Sequence, residues 1–331
     1  MTSNQPAPDG VMRLINGYWN TGVIGAAATH SLFTHLDNGA GTAAEVAARA
    51  EISERGAQSL LDGLVSVELV VLQDGRYRNS PEAAAFLVEG KPASLAGFAK
   101  LKLQHTGSLT DLPEVVRIGG PLAGGETEVA DNPHWEGIVP AIAAVSVPAA
   151  DAGVEALGIA DAGEITILDV GGGSGIYSSI WLKANPAARA VQLDWEPINA
   201  IARRLVGEQG VGDRFTTLDG DFHTTDFGTG LYDVAVYSHI AHQENAESNI
   251  EVFTRLRRAL KPGGALVVAD YVVDDDRGAP AFPLLFALEM LLKSNEGGTW
   301  RRSEYRDWLV KAGFEDVSFH AAPPATMVIA R

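Results

Sequence analysis

The segment ITILDVGGGSG, residues 165–175, constrains the fold of this 331-residue chain more than any other. ITILDV has the near-continuous apolar run of a strand buried on both faces, and IYSSIWLKA beyond the glycines reads as a helix. A strand that turns through Gly171, Gly173 and Gly175 into a helix opens a βαβ unit. From Glu164 onward the same alternation repeats. AVQLD, RFTTLDGD, DVAVYSHI and ALVVADYVV read as strands, with helices from about Pro197 and Ala246 between them. That order predicts an α/β domain with a Rossmann-like, mostly parallel sheet covered on both faces. EDVSFHAAPPATMVIAR adds an antiparallel hairpin at the C-terminal end.

The first hundred residues follow a different pattern. Thr42-Ala-Ala-Glu45 is a capping box, in which the hydroxyl accepts from a first-turn amide and the carboxylate reaches back to the cap. It opens the alanine-rich helix AAEVAARA. A second helix starts near Ser53 with Leu60, Leu61 and Leu64 as its apolar stripe. VVLQ and RYR then flank an Asp74-Gly75 hairpin turn. Helix, helix and hairpin predict a mainly helical, winged-helix-like domain over residues 1–105. Residues 106–331 then hold linking helices and the α/β domain.

Winged helices invite a DNA-binding reading, and charge opposes it. Residues 1–100 carry seven Lys and Arg against ten Asp and Glu, and the whole chain is at −17. The candidate recognition helix, SERGAQSLLDGLVSVEL, has one arginine and three acids. Such a surface repels phosphate, so no nucleic-acid partner is expected; dimerisation or capping of a substrate fits better. The opening MTSNQPAPDGVMRLIN has no basic stretch leading into an apolar core, so no secretory signal is read there. No uninterrupted apolar run approaches the ~20 residues that span a bilayer. The expectation is a cytoplasmic protein with no membrane partner. Without cysteine there is no thiolate nucleophile and no sulfur-based zinc site.

A bare glycine-rich loop is a weak signal for a ligand, and LDVGGGSG fails two familiar motifs. The dinucleotide pattern G-x-G-x-x-G fails because its third position falls on Ile176, and no Gly-Lys-Ser/Thr follows for a P-loop. Asp169 ends the first strand, where an acid repels pyrophosphate and suits the ammonium end of S-adenosylmethionine. Nineteen residues after Gly175, Asp194 ends the second strand, where it can accept from ribose hydroxyls. At the third strand's end, Asp221 and Phe222 can take the adenine amine and stack on its ring. Any one of these acids equally suits a helix cap or turn. Three at consecutive strand ends point to a nucleoside-like ligand.

With these residues in place, the sequence resembles the small-molecule O-methyltransferases, which include caffeate and hydroxyindole methyltransferases and bacterial natural-product enzymes. The resemblance rests on LDVGGGSG, LDGDF, RLRRALKPGGALVVADYVV and GGTWRRSEYRDWLVKAGFEDV. It implies S-adenosylmethionine as methyl donor, S-adenosylhomocysteine as product, no metal, and a homodimer formed through the N-terminal domain. Counting back from Arg-Ala259-Leu260-Lys-Pro-Gly-Gly places His242 at the family's general-base histidine. Asp270 matches one flanking acid, and Ser238 stands where a family lysine meets the cofactor. The family's Asp-Trp after the histidine is replaced by Gln243-Glu244, and Trp300 lies near its second acid.

Methyl transfer is a displacement at a carbon activated by the sulfonium, and it depends on alignment. A histidine near neutral pH assists by taking the acceptor's proton. His239, three residues before His242, shares its face if the segment is helical. Phe286, Met290 and Trp300, with Phe282 and Trp135, are candidate walls for a small aromatic acceptor. O-methylation leads, with C- or N-methylation of an indole or arene beside it. A non-methylating enzyme on the same fold and a DNA-binding regulator are the other readings. Asp274-Asp275-Asp276 is read as a solvated loop, and Glu244 either replaces the missing aspartate or faces solvent.

Overall fold

The structure is a computed structural model that describes residues 7–122 and 133–331, the side chains of residues 133 and 134 excepted. The chain divides into two compact units, Met1–Leu109 and Thr110–Arg331.

The first unit runs α1 (Asp9–Ile15), α2 (Tyr18–Thr29), α3 (Leu32–Asp37), α4 (Ala43–Ala50), α5 (Glu54–Ser66), β1 (Val70–Gln73), β2 (Arg76–Asn79), α6 (Pro81–Phe86) and α7 (Ala96–His105). Side-chain caps set three of the helix starts. Thr42, Ser53 and Ser80 accept from the amides of Glu45, Gly56 and Ala83. Glu45 reaches past the cap to the Gly41 amide at 2.6 Å and pairs with Arg76, tying α4 to the hairpin. Positive φ at both Asp74 and Gly75 makes the β1–β2 turn the primed type that matches strand twist. Leu32, Phe33, Val46, Leu61 and Leu64 form the buried core, with Leu60 packed at its edge. α2 packs closely on α7: a Cβ on Gly25 would stand 2.5 Å from Leu103 Cβ. α1 buries nothing, and Val11, Met12, Leu14, Ile15, Tyr18 and Trp19 are exposed.

The second unit holds α8 (Leu112–Ile118), α9 (Pro133–Leu157), β3 (Thr166–Val170), α10 (Ile176–Ala184), β4 (Arg189–Asp194), α11 (Glu196–Glu208), β5 (Phe215–Asp219), β6 (Tyr232–Ser238), α12 (Ala246–Ala259), β7 (Leu260–Asp270), α13 (Ala281–Lys293), α14 (Arg302–Lys311), β8 (Val317–Ala322) and β9 (Ala325–Ala330). Its seven strands lie in the order β5-β4-β3-β6-β7-β9-β8. The first five are parallel, and β9 runs antiparallel between β7 and β8. Both faces are covered, which is why the strands read as continuous apolar runs. Tyr177, Trp181, Ala202 and Val206 pack on one face; Val252, Phe253, Tyr305 and Leu309 pack on the other.

α9 bears on the expectation that no uninterrupted apolar run could span a bilayer. Its Trp135–Leu157 stretch, with mean hydropathy 1.6, is long and apolar enough to cross a membrane by length and composition. Pro140, Pro148 and the acids Glu136, Asp151 and Glu155 break the run in sequence. In the fold this helix packs on α10 and α11, burying Ala149 and Ala150. Trp181 donates to the Ala150 carbonyl at 2.8 Å, and a Cβ on Gly153 would come within 2.6 Å of its ring. The helix apolarity is thus spent partly on the core that carries the glycine loop.

Candidate active site

The chain leaves β3 outward to β4 and β5, then returns to β6 on the other side of β3. This reversal opens a crevice at the carboxyl ends of the strands. A solvent-open cleft, about 980 Å³ with its open solvent included, lies there, walled by the 171–174 loop, the ends of β4, β5 and β6, and α9. Gly171, Gly173 and Gly175 all have positive φ, so each favours glycine. Their surroundings differ. A Cβ on Gly171 would stand 1.9 Å from Ile240 Cδ1, and one on Gly175 would stand 2.6 Å from Val206 Cγ2. Around Gly173 the nearest atom is 3.7 Å away. Gly175 therefore serves the packing of α11 and does not line the cavity, contrary to the sequence reading.

Asp169 is fully buried beneath the loop; Oδ2 accepts from Ser178 at 2.8 Å and Oδ1 has no partner. Burial pushes its carboxyl up to about 6, against the Ser178 hydrogen bond. Burial likewise raises Asp194 to about 6, although it accepts from the Gly173 amide at 2.9 Å and the Trp195 amide at 2.8 Å. Asp194 thus shapes the loop as well as facing the cavity. Sequence reasoning missed the two amides beneath it. Gln192 donates to the Gly173 carbonyl, and Asn199 ties the end of β4 to β5 through Leu218 and Asp219. A glutamine inside the apolar run AVQLD was the available signal.

Asp221 Oδ1 closes a local turn. Its carboxylate accepts from the His223 amide and pairs with the His223 ring, both at 2.9 Å, and it does not line the cavity. An Asx turn two residues long captured the acid locally. Phe222, Ser238 and Trp195 do line the wall. His223 stacks on Phe222 at 4.2 Å, and its Nε2 meets Glu244 Oε2 at 3.1 Å. Glu244 is buried and does not face solvent; its Oε2 is engaged by His223 and Ser248.

His242 and Asp270 come together although 28 residues apart. Nδ1 of His242 lies 2.6 Å from Asp270 Oδ1, and Oδ2 accepts from the His242 amide at 2.9 Å. Burial alone would raise the Asp270 carboxyl; the adjacent His242 imidazole outweighs it and holds the group below the usual range. The pair sits among aromatics: Phe286 is edge-on to His242 at 5.0 Å, and Tyr271 packs on both rings at 5.7 and 4.4 Å. Tyr271, unremarked in the sequence, is thus the centre of this wall.

His239 is not helical; it has φ +56 at the end of β6, and neither ring nitrogen has a hydrogen-bond partner. Burial drops its pKa to about 4, so it is neutral at pH 7. It lines the cofactor-side cavity, as does Trp135, which was expected on the acceptor wall. Trp300 is a buttress: its indole donates to the Ala241 carbonyl at 3.0 Å and its ring packs on Trp308. Met290 is buried on α13. His239, His242 and Asp270 bring ligand-type atoms within 4.8 Å of one another, but a cation there would have to displace the His242–Asp270 bond. Asp274, Asp275 and Asp276 are separately engaged by Arg302, Ser303 and Gly278.

Against known proteins, residues 152–315 match the O-methyltransferase domain and residues 12–89 the O-methyltransferase dimerisation domain. Along 98% of its length the chain is 30% identical to the tetracenomycin polyketide synthesis 8-O-methyl transferase of Streptomyces glaucescens, covering 96% of that protein. The chain belongs to the O-methyltransferase family. It is also 29% identical to the 3-hydroxy-5-methyl-1-naphthoate 3-O-methyltransferase of Streptomyces sahachiroi, over 96% of this chain and 93% of that one. The fold of human N-acetylserotonin methyltransferase, solved with S-adenosylmethionine, superposes with a TM-score of 0.86 at 22% identity, covering 100% of this chain and 99% of that one. As a member of this family, the chain is an S-adenosylmethionine-dependent methyltransferase. Its residues fit that cofactor. Gly171, Gly172 and Gly173 line the cavity with Asp194, whose carboxylate offers acceptors for hydroxyls, and Asp169 lies buried beneath the loop with one oxygen unpartnered.

Proposed function

We propose that this chain methylates a hydroxyl of a small aromatic natural product, with His242 as general base. The His242–Asp270 pair carries the reading. With Asp270 ionised, Nδ1–H donates to it and Nε2 keeps the lone pair that accepts a proton. When bound, the cofactor supplies a methyl group activated by its sulfonium. Tyr271, Phe282 and Phe286, with ring centroids 4.4 to 5.9 Å apart, offer an aromatic wall for a flat acceptor beside that nitrogen. A phenol, pKa near 10, is mostly protonated at neutral pH, so a base in reach matters for oxygen more than for an arene carbon. The naphthoate and polyketide acceptors in the relatives' names agree with this class. The same reading holds that Gly171, Gly173, Asp169, Asp194, Phe222 and Ser238 serve the cofactor, that no metal takes part, and that the protein is a cytoplasmic homodimer bound to neither nucleic acid nor membrane. The dimerisation domain and the exposed apolar side chains of α1 and α2 support the dimer.

A titration tests the cofactor assignment. Asp169 and Asp194 stand at about 6 in the free protein. A ligand ammonium and ribose hydroxyls favour their ionised forms, so binding releases protons near pH 6 and tightens as pH rises from 5 to 7. A group with pKa near 6 that must be ionised weakens binding at pH 5 by about tenfold. Calorimetry with S-adenosylhomocysteine in buffers of different ionisation enthalpy reads both effects. Affinity flat across this range, with no proton exchange, would contradict these roles.

A further inference from the structure

Two buried oxygens beneath the glycine loop have no hydrogen-bond partner, and they belong to neighbouring side chains. Asp169 of β3 and Gln192 of β4 are register partners on parallel strands, so both project to the same face, the one that α10 covers. Neither is exposed at all, and Asp169 Oδ1 and Gln192 Oε1 are both unpartnered. Both groups press on one point: a Cβ on Gly172 would stand 2.5 Å from Gln192 Oε1 and 2.7 Å from Asp169 Cγ. Turning the Gln192 amide over does not relieve the pair. Its Nε2 donates to the Gly173 carbonyl and to Asn199 Oδ1, both at 3.2 Å. Asn199 is itself fixed, donating to the carbonyls of Asp194 and Leu218 and to Asp219 Oδ1. Reversed, Gln192 would set its oxygen against two acceptors. Around Asp169 stand Ser178, which donates to Oδ2, the phenol of Tyr177, the carboxyl of Asp194 and, on β6, Val236; none of these is a cation. Burial already pushes the Asp169 carboxyl up to about 6, and donation to a neighbour would favour its neutral form further. Two buried acceptors left facing each other are costly, and one proton between them satisfies both.

We propose that Asp169 is protonated in the free protein and donates from Oδ1 to Gln192 Oε1, making the two a positioning pair for the glycine loop. The chain of bonds runs from Ser178 through Asp169 and Gln192 to the carbonyl of Gly173, which lines the cleft. That the loop so held receives S-adenosylmethionine rests on the reading above. Infrared spectra of the free protein at pH 6 test the proton directly. The expected result is a protonated-carboxyl band that Asp169→Asn removes and that moves to higher frequency in Gln192→Leu, where its hydrogen bond is lost. Thermal unfolding gives a second readout. A carboxyl whose pKa is raised in the fold contributes fully at low pH and loses that contribution as pH rises through the folded value. Asparagine instead offers Gln192 an N–H at every pH. Asp169→Asn is therefore expected to match the wild type near pH 4 and to melt roughly 5 °C above it at pH 8. Gln192→Leu frees the Gly173 carbonyl and is expected to weaken S-adenosylhomocysteine binding by about 3- to 10-fold. No carboxyl band lost in Asp169→Asn, or melting of that variant below the wild type at pH 8, overturns the proposal. Unchanged affinity in Gln192→Leu overturns the positioning role. The spectra and the melting involve no ligand, so failure of S-adenosylhomocysteine to bind the wild type would sink the cofactor reading while the shared proton is still judged by them.

Discussion

His242→Ala is expected to lower kcat by ~10²–10⁴-fold, the usual worth of general-base assistance, while leaving the affinity for S-adenosylhomocysteine within about threefold. The two readouts separate because His242 does not line the cavity that holds Asp194 and the glycine loop. Its ring lies instead between Tyr271 and Phe286. Residual rate in the variant measures what alignment alone achieves. Full kcat would mean that the acceptor arrives already nucleophilic, and the base assignment would fall.

Asp270→Asn tests the same device from behind. Its carboxylate accepts from the His242 ring, the His242 amide and the Tyr271 amide. A carboxamide can turn an NH₂ toward Nδ1, which then keeps its lone pair and forces the proton onto Nε2, the wrong nitrogen for a base. Where such a swap has this effect on a histidine, losses of about 10⁴-fold are known. Here kcat is expected to fall ~10²–10⁴-fold, with KM much less affected. A merely structural role would lower stability and raise KM along with the fall in kcat. Since the two residues act as one unit, the double variant should be little slower than His242→Ala alone.

The strand–glycine–helix opening, the parallel sheet and the terminal hairpin were legible because each has a local signature: LDVGGGSG, a two-face apolar run, a turn between apolar stretches. Asp194 was legible from its position at a strand end, and His242 and Asp270 from the family resemblance. The misreadings share a physical origin, since they depend on which neighbour captures a side chain. Asp221 Oδ1 is engaged by His223 two residues away, and Glu244 Oε2 by His223 twenty-one residues away. The Trp300 indole donates to the Ala241 carbonyl, a partner no sequence pattern signals. Helical spacing of His239 and His242 failed where His239 adopts a left-handed backbone at the end of β6. No periodicity in the chain records such pairings.

The most direct measurement uses methyl-labelled S-adenosylmethionine with paired aromatic acceptors, each offered with its hydroxyl free and with that hydroxyl already masked as an ether. Label recovered as an aryl methyl ether, only from the free-hydroxyl member of a pair and strongly reduced in His242→Ala, is the predicted result. Label on carbon or nitrogen, or equal transfer to masked acceptors, would contradict hydroxyl methylation through His242.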